Sequence, residues 1–261
     1  MHEATAPGHE TPRRFIPFII PMSQPDIEFS YDSVADEYAA TIDEAPYNAH
    51  YERPAMLAAL PPVAGRRILE AGCGAGWYTE QLLARGAYVT AVDESARMVE
   101  HTRRRIAALA GADGRVEARV ADLRQPLSFA ADASYHGVVS ALTMHYLRDW
   151  STPLGEFRRV LKPGGWLLFS THHPTADAMD LAEGESYFDV VQLEDWWKRV
   201  GTVRFFRRPL MSITDALADA GFGIERIIEP RPTGAFRAAK PGSVPRLMRR
   251  PEFIILLARP W

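Results

Sequence analysis

Cysteine is nearly absent: Cys73 is the single one in 261 residues. That excludes an internal disulfide framework and a zinc site built on several thiolates. Long apolar runs are missing too. None reaches the roughly 18 residues that a bilayer-spanning helix needs, and the stretch Phe15 to Met22 is short and broken by two prolines. A surplus of positive charge is the third absence. Thirty basic against 33 acidic residues leave a formal net charge of −3, so neither nucleic acid nor an anionic membrane is the expected partner. What precedes Phe15 does not resemble a signal peptide, and the chain reads as cytoplasmic. With 47% hydrophobic residues it can bury one sizeable core.

Glycine, by contrast, is concentrated where it matters. The run Ile68-Leu69-Glu70-Ala71-Gly72-Cys73-Gly74-Ala75-Gly76 is a short apolar strand that ends in an acid and breaks into three glycines at alternate positions. A helix from Trp77 to Arg85 follows, then a second apolar strand, Ala87 to Val92, ending in Asp93. Strand, glycine turn, helix, strand and acid make half of a nucleotide-binding α/β sheet. Asp93 is placed to accept hydrogen bonds from both hydroxyls of a ribose. A dinucleotide site would want glycine where Trp77 stands, and Glu70 would be poorly placed beside a pyrophosphate. Both departures favour S-adenosylmethionine, which carries a sulfonium and an ammonium and no phosphate. Cys73 reads as a small residue that fits the turn, since no base for a nucleophilic thiol is apparent.

These residues resemble the class I S-adenosylmethionine-dependent methyltransferases, in the small-molecule branch called methyltransferase type 11. Val120-Ala121-Asp122-Leu123 is similar to the family's third-strand end, Tyr135-His136-Gly137-Val138-Val139-Ser140 to its fourth strand, and Arg158 to Gly165 to the helix and turn before its fifth. The resemblance covers roughly residues 30 to 260. It implies a doubly wound, Rossmann-like α/β fold with a seven-stranded, mostly parallel sheet that ends in an antiparallel pair. It also implies that Asp122 meets the adenine amino group and that S-adenosylhomocysteine is the product.

The organisation expected from the chain is a disordered tail over 1–25, which has five prolines, and a methyltransferase domain over 26–261. Residues 26–62 form an N-terminal helical cap in this reading, with helices over Ser30–Ala40 and Pro54–Leu60. Further strands are expected at Val116–Val120, Tyr135–Ser140, Trp166–Ser170, Phe222–Ile228 and Glu252–Ala258. Helices are expected from the Ser95 cap to Leu109, over Pro153–Leu161, and over Ser212–Ala220. A lid insertion fills 172–208, with a β-like stretch at Thr202–Phe206.

Ligands in such sheets lie at the carboxyl ends of the strands. The expected cofactor residues are therefore Glu70, Gly72, Cys73, Gly74 and Gly76 after the first strand, Asp93 and Glu94 after the second, Asp122 and Leu123 after the third, and Ser140 at the fourth. Tyr38, with Tyr31 and Trp77 as further candidates, offers an aromatic face to the sulfonium. An acceptor hydroxyl or acidic carbon needs a base, and His145, His172 and His173 stand at strand ends; a neutral amine would need none. The pair His172 and His173 lacks a third ligand, so no metal is expected. Tyr31, Tyr51, Tyr187, Trp196 and Arg207 are the expected acceptor-binding residues, because the cap and insertion vary around the shared sheet. The rings suit an aromatic or terpenoid-like molecule, and Arg207 and Arg208 could steer an acidic one. The reading is methyl transfer to a small organic acceptor in specialised metabolism, with a homodimer as a possible assembly. Two rivals stand beside it: a cyclase or binding scaffold that keeps the cofactor site, and an NAD-dependent dehydrogenase, against which Trp77 argues.

Overall fold

A computed structural model describes residues 31–261 except 110, 113, 179–180, 182–184 and 198–199. The tail expected over 1–25 lies outside the described residues. The central sheet contains β1 (Arg67–Ala71), β2 (Tyr88–Asp93), β3 (Val116–Val120), β4 (Tyr135–Ala141) and β5 (Leu161–His172), all parallel. Two later strands, β8 (Phe222–Ile228) and β9 (Phe253–Pro260), complete it. The order is β3-β2-β1-β4-β5-β9-β8, and β9 runs antiparallel to both neighbours. This is the seven-stranded, mostly parallel sheet that the sequence implies.

Alternation along the strands explains why the sheet is covered on both faces. Leu69, Val138, Phe169 and Leu256 join one apolar cluster, while their chain neighbours Ile68, Val139, Leu168 and Ile255 join the other. Helix α3 (Trp77–Ala84) and helix α4 (Ala96–Ala107) pack on the second face. Helix α5 (Ser151–Val160) and helix α7 (Leu210–Asp219) pack on the first. Ser95 caps α4 by accepting from the Met98 amide, the role its position foretells.

Four elements differ from expectation. The first helix divides into a 3-10 turn, Tyr31–Ser33, and α1 (Ala35–Thr41). A π-helical turn, Asn48–Glu52, precedes α2 (Arg53–Ala59). Strand β5 runs back to Leu161 and on to His172, because pairing with β4 and β9 extends it beyond its apolar centre. Finally, β8 and β9 do pair, but α8 (Gly234–Ala239) and α9 (Val244–Leu247) stand between them. Thr233 caps α8 by accepting from the Phe236 amide, and Phe236 is buried against Tyr51.

The insertion after β5 holds α6 (Pro174–Ala178) and a separate hairpin of β6 (Val191–Trp197) and β7 (Gly201–Arg207). The β-like stretch foreseen at Thr202–Phe206 is therefore one arm of a pair. Its partner strand, Val-Gln-Leu-Glu-Asp-Trp-Trp, alternates apolar and polar residues only over its first four positions, too short a run to mark it in advance. Among the described residues, no helix is long and apolar enough to cross a membrane.

Candidate active site

Strand order reverses between β1 and β4, and a crevice opens there at the carboxyl ends. The turn after β1 forms its floor. Gly72, Gly74 and Gly76 have φ of 82°, 52° and 83°, a region that side-chain-bearing residues avoid. A Cβ at Gly72 would overlap the Thr143 side chain. At Gly74 a Cβ would meet nothing within 4 Å, yet Gly74 lines a cavity of about 130 Å³. The bare backbone there leaves room for a ligand rather than for a protein neighbour. The carboxylate of Asp93 holds the turn: Oδ2 accepts from the Gly74 amide at 2.9 Å and Oδ1 from the Ser95 amide at 3.0 Å. Each oxygen keeps a lone pair for a hydroxyl. Burial holds its pKa above the ordinary carboxylate value.

The cavity brings together Tyr31, Tyr38, Gly72, Cys73, Gly74, Asp93, Glu94 and Leu123 from the expected set. Cys73 is 6% exposed, and burial pushes its thiol well up, which suits an inert residue in a tight turn. Four other expected cofactor residues stand outside the lining. Glu70 is buried behind the turn, where its Oε2 accepts from the Thr79 hydroxyl at 2.5 Å. Desolvation lifts its pKa to about 8. Gly76 packs on Thr102. Asp122 accepts from the Arg124 amide and guanidinium. Ser140 is fully buried and donates to the Ala71 carbonyl, tying β4 to β1.

Two residues that the sequence did not single out join the cavity where the π-helical turn meets α2, Glu52 at the end of the turn and Arg53 at the start of the helix. Glu52 is 1% exposed and accepts from the Ser170 hydroxyl at 2.6 Å and the Tyr78 hydroxyl at 2.8 Å; burial raises its pKa. Arg53 lies over the Trp77 ring, 4.2 Å from its centroid, and reaches Asp43 at 3.3 Å. The π-turn separates the adjacent residues: Tyr51 enters the core while Glu52 and Arg53 face the cavity. No pattern of residue types announces such a turn. A buried acid beside a buried guanidinium is a complementary pair for an amino-acid zwitterion, and the open Gly74 backbone and Asp93 suit a ribose. The residues present thus fit S-adenosylmethionine.

A second cavity, of about 530 Å³, shares Tyr31, Tyr38, Ile42, Asn48, Leu142 and Tyr146 with the first. At the shared wall the Tyr31 and Tyr146 hydroxyls are hydrogen-bonded at 2.5 Å, and the Tyr31 ring meets Tyr38 and Tyr146 edge-on. His145, His172, Trp197, Phe205 and Phe253 line the far part. Burial and neighbouring His172 push the His145 pKa well below its ordinary value.

Several expectations are corrected here. His173, the first residue past β5, lines neither cavity; its Nε2 lies 3.0 Å from Glu229 and its Nδ1 2.7 Å from the Thr175 hydroxyl. Tyr51 is fully buried and accepts from the Glu252 amide. Tyr187 accepts from the Leu210 amide. Trp196 is 67% exposed on the outer face of the hairpin. Arg207 is buried on Glu185 and the Ser186 carbonyl, and Arg208 on the Leu147 and Arg148 carbonyls. Neither arginine lines the cavities, so neither can meet an acidic acceptor there. Among the described residues no group of three or more His, Cys, Asp or Glu is placed to hold a metal ion.

Comparison with known proteins bears on the cofactor. A family model described as a methyltransferase domain matches residues 68–165. A malonyl-[acyl-carrier protein] O-methyltransferase of Erwinia pyrifoliae is 42% identical over 105 residues, 40% of this chain and 37% of that protein. A demethylmenaquinone methyltransferase of Clavibacter sepedonicus is 40% identical over 122 residues, 46% of this chain and 47% of that protein. The match thus spans less than half the length of both relatives. Likeness over most of the chain comes from a solved structure, an S-adenosylmethionine-dependent methyltransferase of Mesorhizobium loti. It is 30% identical, with a TM-score of 0.68, over 84% of this chain and 99% of that one. Sheet order, glycine turn and the likeness to this structure agree, and the chain belongs to the class I S-adenosylmethionine-dependent methyltransferases.

Proposed function

We propose that the protein transfers the methyl group of S-adenosylmethionine to a small organic acceptor. The observation that carries this reading is the shared wall of two cavities with different chemistry. One has the glycine turn, Asp93, Glu52 and Arg53; the other has aromatic rings and histidines. A group held in the first can reach a molecule held in the second without leaving the protein.

When bound, the cofactor supplies an electrophilic methyl carbon on a sulfur that leaves as a neutral thioether. The chain's own residues bind, orient and exclude water. In our reading Asp93 and Glu94 take the ribose hydroxyls, and Leu123 packs on the adenine. Arg53 takes the carboxylate and Glu52 the ammonium. Tyr31, Tyr38 and Tyr146 surround the junction, where ring faces can favour a cation by roughly 0.5–2 kcal/mol each. Alignment of two reactants in such a junction can supply about 7–11 kcal/mol of the barrier. His172, with His145 behind it, is the candidate base. The aromatic lining suits a flat or terpenoid-like acceptor, and we place the reaction in specialised metabolism on that ground.

Calorimetric titration tests the reading. Micromolar binding of S-adenosylhomocysteine with no binding of NADH is expected; binding of NADH alone would overturn it in favour of a dehydrogenase. Arg53→Met should weaken S-adenosylhomocysteine at least tenfold and leave methylthioadenosine, which lacks the amino-acid end, unaffected. Equal weakening of both would mean that Arg53 acts through the fold.

A further inference from the structure

Charge is unevenly shared along the chain. Residues 230–251 hold five arginines, one lysine and no acid. They contribute +6 to a chain whose net charge is −3, so the remainder carries −9. A patch whose sign opposes that of the whole molecule is hidden by the net charge, yet it sets the local field. This stretch is the unit that stands between β8 and β9: α8, a 3-10 turn at Pro241–Ser243, and α9. Its apolar side fixes it to the body of the protein. Phe236 is buried against the Tyr47 and Tyr51 rings, with centroids at 5.2 and 5.7 Å, and Leu247 joins the same cluster. Arg246 is engaged within the fold, on Glu252 and on the Tyr47 hydroxyl at 2.9 Å. Three other arginines are turned outward. Arg231, Arg237 and Arg249 are exposed, and none of them is ion-paired among the described residues. Nη2 of Arg237 lies 3.7 Å from the Met248 sulfur, and Met248 is 50% exposed. Helices α8 and α9 thus present Arg237, Met248 and Arg249 side by side.

The make-up of this surface selects its partner. Arginine and methionine are enriched where proteins meet proteins, and a guanidinium pairs with a carboxylate through two parallel hydrogen bonds. A membrane surface wants aromatic rings to insert beside the charges. Here the one ring of residues 230–251, Phe236, is buried, and Met248 is the single large apolar side chain that is exposed. An extended polyanion such as a nucleic acid would reach past the patch and meet the surplus of acid elsewhere; a compact acidic surface would not.

We propose that α8 and α9 form a docking surface for an acidic protein, whose carboxylates pair with Arg237 and Arg249 around Met248 and with Arg231 at the entry to α8. The surface adjoins the larger cavity. Lys240, which ends α8, lines that cavity together with Tyr47, Glu252 and Phe253, and the same Tyr47 and Glu252 hold Arg246 of α9. A partner seated there bears on one wall of the space that the methyl-transfer reading gives to the acceptor. That consequence rests on the reading; the docking itself does not. Complementary charge governs encounter and specificity more than affinity, and exposed pairs are screened by salt, so the contact is short-lived and salt-sensitive.

The test uses the full chain and, as probe, a fluorescein-labelled helical peptide rich in glutamate and leucine. Anisotropy titrations should show saturable binding that weakens as salt is added. Arg237→Glu combined with Arg249→Glu should weaken it at least tenfold and leave the affinity for S-adenosylhomocysteine unchanged, since both side chains are exposed. The same peptide with lysine for glutamate should bind that double variant more tightly than it binds the native chain. Hydrogen exchange should slow in α8 and α9 when the glutamate peptide binds, and not in the glycine turn. Equal binding of the glutamate peptide to native chain and double variant would overturn the proposal. So would tighter binding to phosphatidylglycerol vesicles or to a DNA duplex than to the peptide. A native dimer that the double variant dissolves would make the occupant a second copy and overturn it as well. Failure of S-adenosylhomocysteine to bind the native chain would instead strike the cofactor reading and leave the docking result standing.

Discussion

Glu70 was expected beside the cofactor, and the structure places its side chain outside the cavity lining. Its acid lies at the end of β1, yet it turns beneath the glycine loop, bonded to Thr79, where water does not reach it. Desolvation lifts its pKa from 4.5 to about 8, so between those values the native chain keeps a proton that the unfolded chain has lost. Stability contributed by the neutral carboxyl is complete below 4.5 and declines as pH rises through the window, levelling above about 8. Glu70→Gln removes the ionisation and retains a hydrogen-bonding partner for Thr79. Urea unfolding of the ligand-free protein across that range should show a shallower decline for the variant; parallel curves would mean that Glu70 titrates normally. At this scale Gly72, Gly74 and Asp93 were legible because spacing within one turn specifies them. Glu52 and Arg53 were not, because they reach the cavity through a π-helical turn that residue types do not encode.

Among the elements, the β6–β7 hairpin divides two neighbouring indoles. Successive side chains on a strand point to opposite faces. Trp197 lines the larger cavity with its indole donating to Asp195 at 2.9 Å, while Trp196 is exposed. Trp196→Ala should leave stability within about 0.5 kcal/mol and kinetics unchanged. Trp197→Ala should raise the acceptor KM severalfold with the S-adenosylhomocysteine affinity intact. A larger effect from Trp196 would reverse the assignment of faces. The aromatic character of this insertion is visible in the sequence, but which face a ring takes depends on register, and a slip of one residue exchanges them. His172 ends β5 and His173 lies just past it, and only the former lines the larger cavity.

For the molecule as a whole, β9 is the strand on which the far half of the sheet depends. It lies between β5 and β8, and Ile255 is fully buried in the cluster that includes Leu168 and Leu257. Ile255→Ala should cost about 2–5 kcal/mol of stability by chemical denaturation. The S-adenosylhomocysteine affinity of the folded fraction should not change, since the glycine turn lies at the other strands. Loss of binding without loss of stability would contradict this separation. The first strands and the cofactor end followed from the sequence itself, because strand, turn, helix and acid succeed one another within some 25 residues and their local geometry admits few alternatives. The acceptor end was decided by tertiary structure. Tyr31, Tyr146, His172, Trp197 and Phe253 come from five separate segments, and only packing over long chain separations determines which of their atoms meet across a cavity.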